Sequence, residues 1–283
     1  MKSIKLWCAL ALILILLPAA DELACTSMMA TKNDMVLAGH NEDWNGSYHW
    51  INFIPAAEGR FGCFNITWGS SWVQGGMNDQ GLFLGDNSVS GTGWRADPAK
   101  LDFPGNPRLH ILQTCATVAD VRKFFETYNV SLLKELRFPI ADRSGAAMVV
   151  EYAQGSVRFV TEKTWYQVST NFLRTNYPGS KVPCQRFRTA QRMLDSANEL
   201  SAELIRSVLS ATHQEGTYET VYSCIYDLKA GSINVYYSHN FENAVVFNLD
   251  DELKKGAHSV RLSELFKVES PTVTPIPPGP VDK

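Results

Sequence analysis

Ala24-Cys25-Thr26-Ser27 stands where a leader-like segment ends and a domain-like pattern begins, and the reading of the whole chain turns on it. Upstream, Lys2 and Lys5 precede an unbroken apolar run from Leu6 to Leu17, and Pro18-Ala19-Ala20 supplies small residues for cleavage. That is the layout of an export signal, and the run is short for a membrane span. Residues 1–20 are expected to be a signal peptide and residues 21–24, Asp-Glu-Leu-Ala, a short propeptide. Lipidation at Cys25 is disfavoured, because Glu22 stands three positions earlier, where the usual motif wants an aliphatic residue. A cut before Cys25 would put a thiol and a free α-amine on one residue, a nucleophile beside a base. Cys25 alone, after a signal peptide, reads equally as a free or disulfide-bonded cysteine.

The rest of the chain is read outward from that point. Of 283 residues, 45% are hydrophobic, enough for one sizeable domain over residues 25–270. The formal net charge is −3 with no basic stripe, so nucleic acid is not an expected partner. An exported location follows from the leader: periplasmic or extracellular, or a lysosomal type of compartment in a eukaryote. The segment from Pro271, PTVTPIPPGPVDK, is Pro-rich and too polar to join a core, and is expected to be a disordered tail. Beyond the leader the cysteines are Cys25, Cys63, Cys115, Cys184 and Cys224. Their odd number in an exported chain points to one thiol kept free, with the other four either in up to two disulfides or buried as small hydrophobes. Neither they nor the scattered histidines show metal-ligand spacing, and no metal or cofactor is expected.

Patterning sorts the chain into alternating blocks. Short strands are expected at Thr26–Ala30, Met35–Gly39, Ile51–Ile54, Cys63–Trp68 and Leu82–Gly85, with a turn at Lys32-Asn33-Asp34. Leu109, Leu112, Val118, Val121, Phe124 and Phe125 mark one or two helices, with Thr117 an N-cap. Strands resume at Phe138–Ala141, Ala146–Tyr152, Val157–Val160 and Gln167–Thr170. A second helical block covers Pro183–Ala197 and Ser201–Ala211, and final strands follow at Thr220–Asp227, Ser232–Tyr237 and Ala244–Leu249. Grouped strands and grouped helices argue for an α+β fold, antiparallel sheets with helices packed outside.

Cys25-Thr26-Ser27 followed by Gly39-His40-Asn41-Glu42-Asp43-Trp44 resembles the opening of the choloylglycine hydrolase and penicillin V acylase group of N-terminal-nucleophile (Ntn) hydrolases. The resemblance continues through Gln74 to Leu82, Gly85-Asp86-Asn87, Ile140-Ala141-Asp142 to Glu151, Ser169-Thr170-Asn171-Phe172 and Arg186-Phe187. From Thr220 to Asp227 the chain also looks like the acyltransferase branch. It implies a four-layer αββα sandwich with two antiparallel sheets, and hydrolysis of a linear C–N bond in a small-molecule N-acyl amide through a thioester. It implies Cys25 as nucleophile, its α-amine as base, Asp43 holding the amine, Asn87 and Asn171 as active-site amides with one serving the oxyanion, and Arg186 near the nucleophile. A homo-oligomer is a further expectation, tetramers being common in the group.

One position departs from the pattern. The group has arginine where this chain has His40, and histidine is shorter and titratable. His40 and Asn41 are therefore candidates for a catalytic or substrate-contacting role. Asn41-Glu42-Asp43 also resembles the cysteine dipeptidases of the same superfamily. A dipeptidase, an acyltransferase and a non-catalytic binding protein on the same fold are the alternatives to an exported, self-processing amidase.

Overall fold

Asn33 and Asp34 both adopt left-handed backbone, φ 50° and 64°. Two such residues make a tight turn whose twist matches antiparallel strands, and they join β1 (Thr26–Lys32) to β2 (Met35–Trp44). This hairpin is the frame on which the site is built. The computed structural model describes residues 25–266 apart from Ser47 and Ser180; the expected signal peptide, propeptide and Pro-rich tail lie outside the described residues.

After the hairpin come β3 (His49–Ile54), β4 (Cys63–Trp68), β5 (Trp72–Asn78), β6 (Phe83–Leu84) and β7 (Asn87–Ser88). The two-residue β8 (Leu101–Asp102) pairs in parallel with β9 (Tyr128–Asn129), and α1 (Pro107–Thr114) and α2 (Val118–Thr127) lie between them. Then follow β10 (Leu136–Ala141), β11 (Ala147–Ala153), β12 (Ser156–Val160), β13 (Tyr166–Ser169), α3 (Gln185–Asp195) and α4 (Ala202–Ala211). The chain closes with β14 (Glu219–Asp227), β15 (Ser232–Tyr237), β16 (Asn240–Asn248), α5 (Leu249–Lys254), β17 (His258–Arg261) and α6 (Leu262–Leu265).

Two antiparallel sheets result. One runs β13-β1-β2-β14-β15-β16; the other runs β12-β11-β10-β6-β5-β4-β3-β17, with β7 also on β10. Between them Met29, Val36, Ala38, Phe53, Phe64, Phe83, Tyr226 and Val235 form the inner core. The outer face of the first sheet packs Met28, Leu37 and Ile225 against Phe187, Ala190 and Leu194 of α3 and Ile205, Val208 and Leu209 of α4. The outer face of the second packs Leu84, Phe138, Ile140 and Met148 against Ile111 and Leu112 of α1 and Val121, Phe124 and Phe125 of α2. Each such side chain taken fully out of water contributes about 1.5–3 kcal/mol. The order of layers is helix, sheet, sheet, helix, the αββα sandwich expected.

Local signals account for the helices. Thr117 accepts from the Asp120 amide, and the Asp120 carboxylate accepts from the Thr117 amide, closing a capping box at α2. Ser201 caps α4, and Asn106 with Pro107 starts α1. Several differences from the sequence reading stand out, and one open alternative is decided. Strand β5 is a full strand where Gln74-Gly75-Gly76 read as a connection, β2 runs on to Trp44, and β16 begins at Asn240. The short α5, β17 and α6 carry too little periodic signal to be expected. No disulfide forms among the described residues: Cys63, Cys115 and Cys224 are buried as small hydrophobes and Cys184 is half-buried.

Candidate active site

Side chains alternate across a strand, so β2 sends His40 and Glu42 into the space between the sheets, and Asn41 and Asp43 to the other face. Cys25 enters β1 beside them and is buried, 3% exposed. Its Sγ lies 3.7 Å from Glu42 Oε2, which is 2.9 Å from His40 Nε2. Gln74 Nε2, from β5 of the second sheet, donates to Glu42 Oε1 at 2.6 Å. His40 Nδ1 is 2.8 Å from Ser27 Oγ, which also accepts from Asn87 Nδ2 at 3.2 Å, and Ser169 donates to Asn87 Oδ1. One hydrogen-bonded chain thus runs from the thiol through Glu42, His40, Ser27 and Asn87 to β13.

On the other side, Arg186 of α3 donates to the Cys25 carbonyl at 2.8 Å, to Thr26 Oγ1 at 2.8 Å and to Asn171 Oδ1 at 3.1 Å, and stands 3.9 Å from Asp43 Oδ2. Asn171 Nδ2 donates to the Ser88 carbonyl at 2.9 Å. Asp43 Oδ1 accepts from Thr220. Its Oδ2, fully buried, accepts no hydrogen bond among the described residues. Buried acceptors are nearly always paired, and this oxygen, with the Arg186 guanidinium 3.9 Å away, is an exception.

Of the residues singled out from sequence, the structure brings Cys25, His40, Asp43, Asn87, Asn171 and Arg186 to this locus. Asn87 is a step removed, its amide spent on Ser27, whereas Asn171 faces open space. Asn41 does not join them. Its amide donates to the Leu209 carbonyl at 2.9 Å and its Oδ1 accepts from Ser223 at 2.7 Å, tying β2 to α4 and β14. The residue that sequence reading passed over is Glu42, taken there only as part of a motif. The His40-x-Glu42 spacing within a strand was the available signal.

A cavity of about 330 Å³ opens against this network. Glu42 and Asn171 line it, and Trp44, Trp72, Val89 and Leu136 give it apolar walls. Asp86 also lines it and pairs with the buried Arg108, whose guanidinium lies 4.4 Å from the Trp72 ring. Trp44 and Trp72 are thus the two tryptophans of the first third that reach the site.

Burial dominates the electrostatics. It pushes the Cys25 thiol well up, and the Glu42, Asp43 and Asp86 carboxyls push it further, against a hydrogen bond from the Asp43 backbone. The thiol is therefore neutral at rest. Burial lowers His40 to about 4, so its ring is neutral, and raises Glu42 to about 8, with Arg108 and the Cys25 hydrogen bond pulling back. The His40–Glu42 contact, though at ion-pair distance, is therefore a neutral hydrogen bond at neutral pH, with the Glu42 O–H donating to Nε2 and Nδ1–H donating to Ser27. Asp43 is raised by burial and pulled down by Thr220 and Arg186. Asp86 rises to about 6.

A stability prediction follows with its sign. Glu42 ordinarily titrates at 4.5 and here at about 8. Its contribution is full below the unfolded value and is lost as pH rises through the folded one. E42Q should flatten the fall in melting temperature across that window, read by thermal denaturation at stepped pH. An unchanged slope would show that Glu42 is not held protonated.

No family model matches the chain, and no curated protein matches it. Solved structures do. A conjugated bile acid hydrolase from Clostridium perfringens is similar over 88% of this chain and 100% of its own, with a TM-score of 0.69 at 16% identity. A penicillin V acylase from Agrobacterium tumefaciens is similar over 79% of this chain and 85% of its own, with a TM-score of 0.58 at 17% identity. A Caenorhabditis elegans N-acylethanolamine-hydrolyzing acid amidase ortholog is similar over 72% of this chain and 93% of its own, with a TM-score of 0.50 at 15% identity. These likenesses show the fold: the chain has the Ntn-hydrolase architecture.

Proposed function

We propose that the chain is an exported, self-processing amidase that hydrolyses a small N-acyl amide through a thioester on Cys25. The observation that carries this reading is the orphaned Asp43 oxygen, buried beside a buried thiol. A cut between Ala24 and Cys25 would create an α-amine, and that amine is the donor Asp43 lacks. The amine also supplies the base that the neutral thiol requires, because the nearby histidine is held by Glu42 and Ser27. The leader signals from Lys2 to Ala20 support export, and the structural neighbours on the same architecture are, by their names, a hydrolase, an acylase and an amidase.

In this reading the α-amine takes the thiol proton as Sγ bonds to the substrate carbonyl carbon. The oxyanion faces the remaining N–H of Asn171. The C–N bond breaks, the amine departs with the proton, and the acyl group remains on sulfur. Water then attacks the thioester, giving one proton to the α-amine. The acid leaves, and the proton returns to the thiolate. Arg186 fixes the Cys25 carbonyl and Asn171 together, so nucleophile and oxyanion donor keep one geometry. A cavity near the lower end of the small-molecule range suits a compact acyl group.

Release of amine from an acyl donor, with and without an added acceptor amine, tests the reading and separates hydrolysis from transfer. A free acid product, unchanged by the acceptor, is expected. An amide of the acceptor would make the chain an acyltransferase. Cleavage restricted to peptides with a free N-terminus would favour the dipeptidase reading, for which the Glu135 carboxyl at the cavity rim is the feature in support. Absence of turnover across all three classes in a chain that begins at Cys25 would leave a binding protein.

A further inference from the structure

Cys25 Sγ, His40 Nε2 and Glu42 Oε2 are the only three buried atoms of their kind, among the described residues, that all lie within 4.8 Å of one another. A thiol, an imidazole and a carboxyl converging in this way are a zinc-type donor set. With Zn–S near 2.3 Å, Zn–N near 2.0–2.1 Å and Zn–O near 2.0–2.2 Å, ligands of a tetrahedral zinc stand about 3.2–3.8 Å apart. The Sγ–Oε2 distance of 3.7 Å already falls in that range, and the Nε2–Oε2 distance of 2.9 Å needs to open by a few tenths of an ångström.

The surrounding bonds match a metal site as well. A metal-bound histidine usually donates its other ring N–H to a neighbour, and a metal-bound carboxylate is itself hydrogen-bonded. Here Ser27 Oγ holds His40 Nδ1 at 2.8 Å, and Gln74 holds Glu42 Oε1 at 2.6 Å. The two ligand side chains are thus each held from behind by a partner on another strand, Ser27 on β1 and Gln74 on β5, which leaves Nε2 and Oε2 on the side of the sulfur. The cavity reaches Glu42, which gives a small cation an entry path.

We propose that Cys25, His40 and Glu42 bind a zinc ion that silences the nucleophile. The thiol proton and the Glu42 proton pass to solvent as the Zn–S and Zn–O bonds form, and the neutral imidazole binds through Nε2. The fourth ligand is water or, once the chain is cut before Cys25, the α-amine, which closes a five-membered chelate with the sulfur on the same residue. Such a chelate would occupy both the nucleophile and its base, so the ion acts as an inhibitor and not as a cofactor. The silencing rests on the amidase reading; the binding does not.

The experiment uses the full chain, reduced and freed of metal, with Zn²⁺ titrated against a chromophoric chelator and Co²⁺ as spectroscopic probe. One equivalent of Zn²⁺ is expected, with a thiolate-to-cobalt absorption band in the near ultraviolet. The other donor triplet, His213, Glu215 and His239, contains no sulfur and cannot give that band. Cys25→Ala should remove the band, and E42Q and His40→Ala should each weaken Zn²⁺ binding by at least about 10-fold. Melting curves confirm that each variant is folded. A wild-type chain that gives no thiolate band, or E42Q and His40→Ala chains that bind Zn²⁺ as tightly as wild type, would overturn the site. Where the chain turns over an amide, micromolar Zn²⁺ should stop it and chelation restore it. Turnover that continues with the site loaded would overturn the silencing. A chain that shows the band but no turnover keeps the metal site and loses the amidase.

Discussion

Cys25→Ala should lower turnover of an N-acyl amide by roughly 10⁴-fold or more, to the level set by binding alone. The size follows from the site. In the proposed reaction the thiol is the nucleophile, and it lies 3.7 Å from Glu42, which lines the cavity, while His40 is held by Glu42 and Ser27. Cys25→Ser should retain a trace of activity. A hydroxyl is far harder to ionise than a thiol, and burial already opposes a negative charge at this position. Initial rates of amine release measure both variants. The alanine variant should melt close to wild type, because Cys25 precedes β1 and belongs to none of the apolar clusters that hold the layers together. An active Cys25→Ala chain would remove the thioester from the mechanism.

Glu151→Ala should destabilise the fold by about 3–5 kcal/mol, since it strands a buried cation. Arg137 and Glu151 are both essentially inaccessible and pair at 3.2 Å. Arg137 also donates to the carbonyls of Thr170 and Phe172, while Glu151 accepts from the amides of Arg174 at 3.1 Å and Thr175 at 2.8 Å. The pair therefore fastens the segment that carries Asn171. A loss of that size lowers the melting temperature by about 10 °C in a domain of this length. Arg137→Met combined with Glu151→Leu should cost less than either single change, because it leaves no buried charge unpaired. Calorimetry of the double variant and of each single variant checks the order. A single variant within about 1 kcal/mol of wild type would contradict the assignment.

These two predictions mark the division between what was legible in the sequence and what was not. The β1–β2 hairpin, the Thr117 cap and the apolar faces of α3 and α4 are local patterns, and each appears where the pattern places it. The αββα layering followed from the grouping of strands and helices together with the family resemblance. Strand β5 escaped because Gly75 and Gly76 interrupt the alternation. A side chain at Gly75 would come within 2.7 Å of the Leu84 carbonyl, so close strand packing, not a turn, requires glycine there. The site was legible where a motif named it, in Cys25, Asp43 and Arg186. It was obscure where long-range pairing decides. Nothing local shows that Arg108 reaches Asp86, that Gln74 reaches Glu42, or that Arg137 binds Glu151. Asn41 read as a candidate through its neighbours, yet strand alternation turns it toward α4. Glu42 read only as part of a motif, yet the same alternation turns it onto the thiol. The cysteine count left disulfides and buried thiols as alternatives, and the structure decides between them: the cysteines among the described residues are all free, with Cys63, Cys115 and Cys224 buried in the core.

Everything proposed for catalysis depends on an α-amine at Cys25. The most direct measurement is the mass of the N-terminal peptide of an active preparation. The account predicts a chain that begins at Cys25, with an acyl group on that residue when the reaction is quenched during turnover. An active enzyme whose chain begins at Asp21 or Met1 would contradict it.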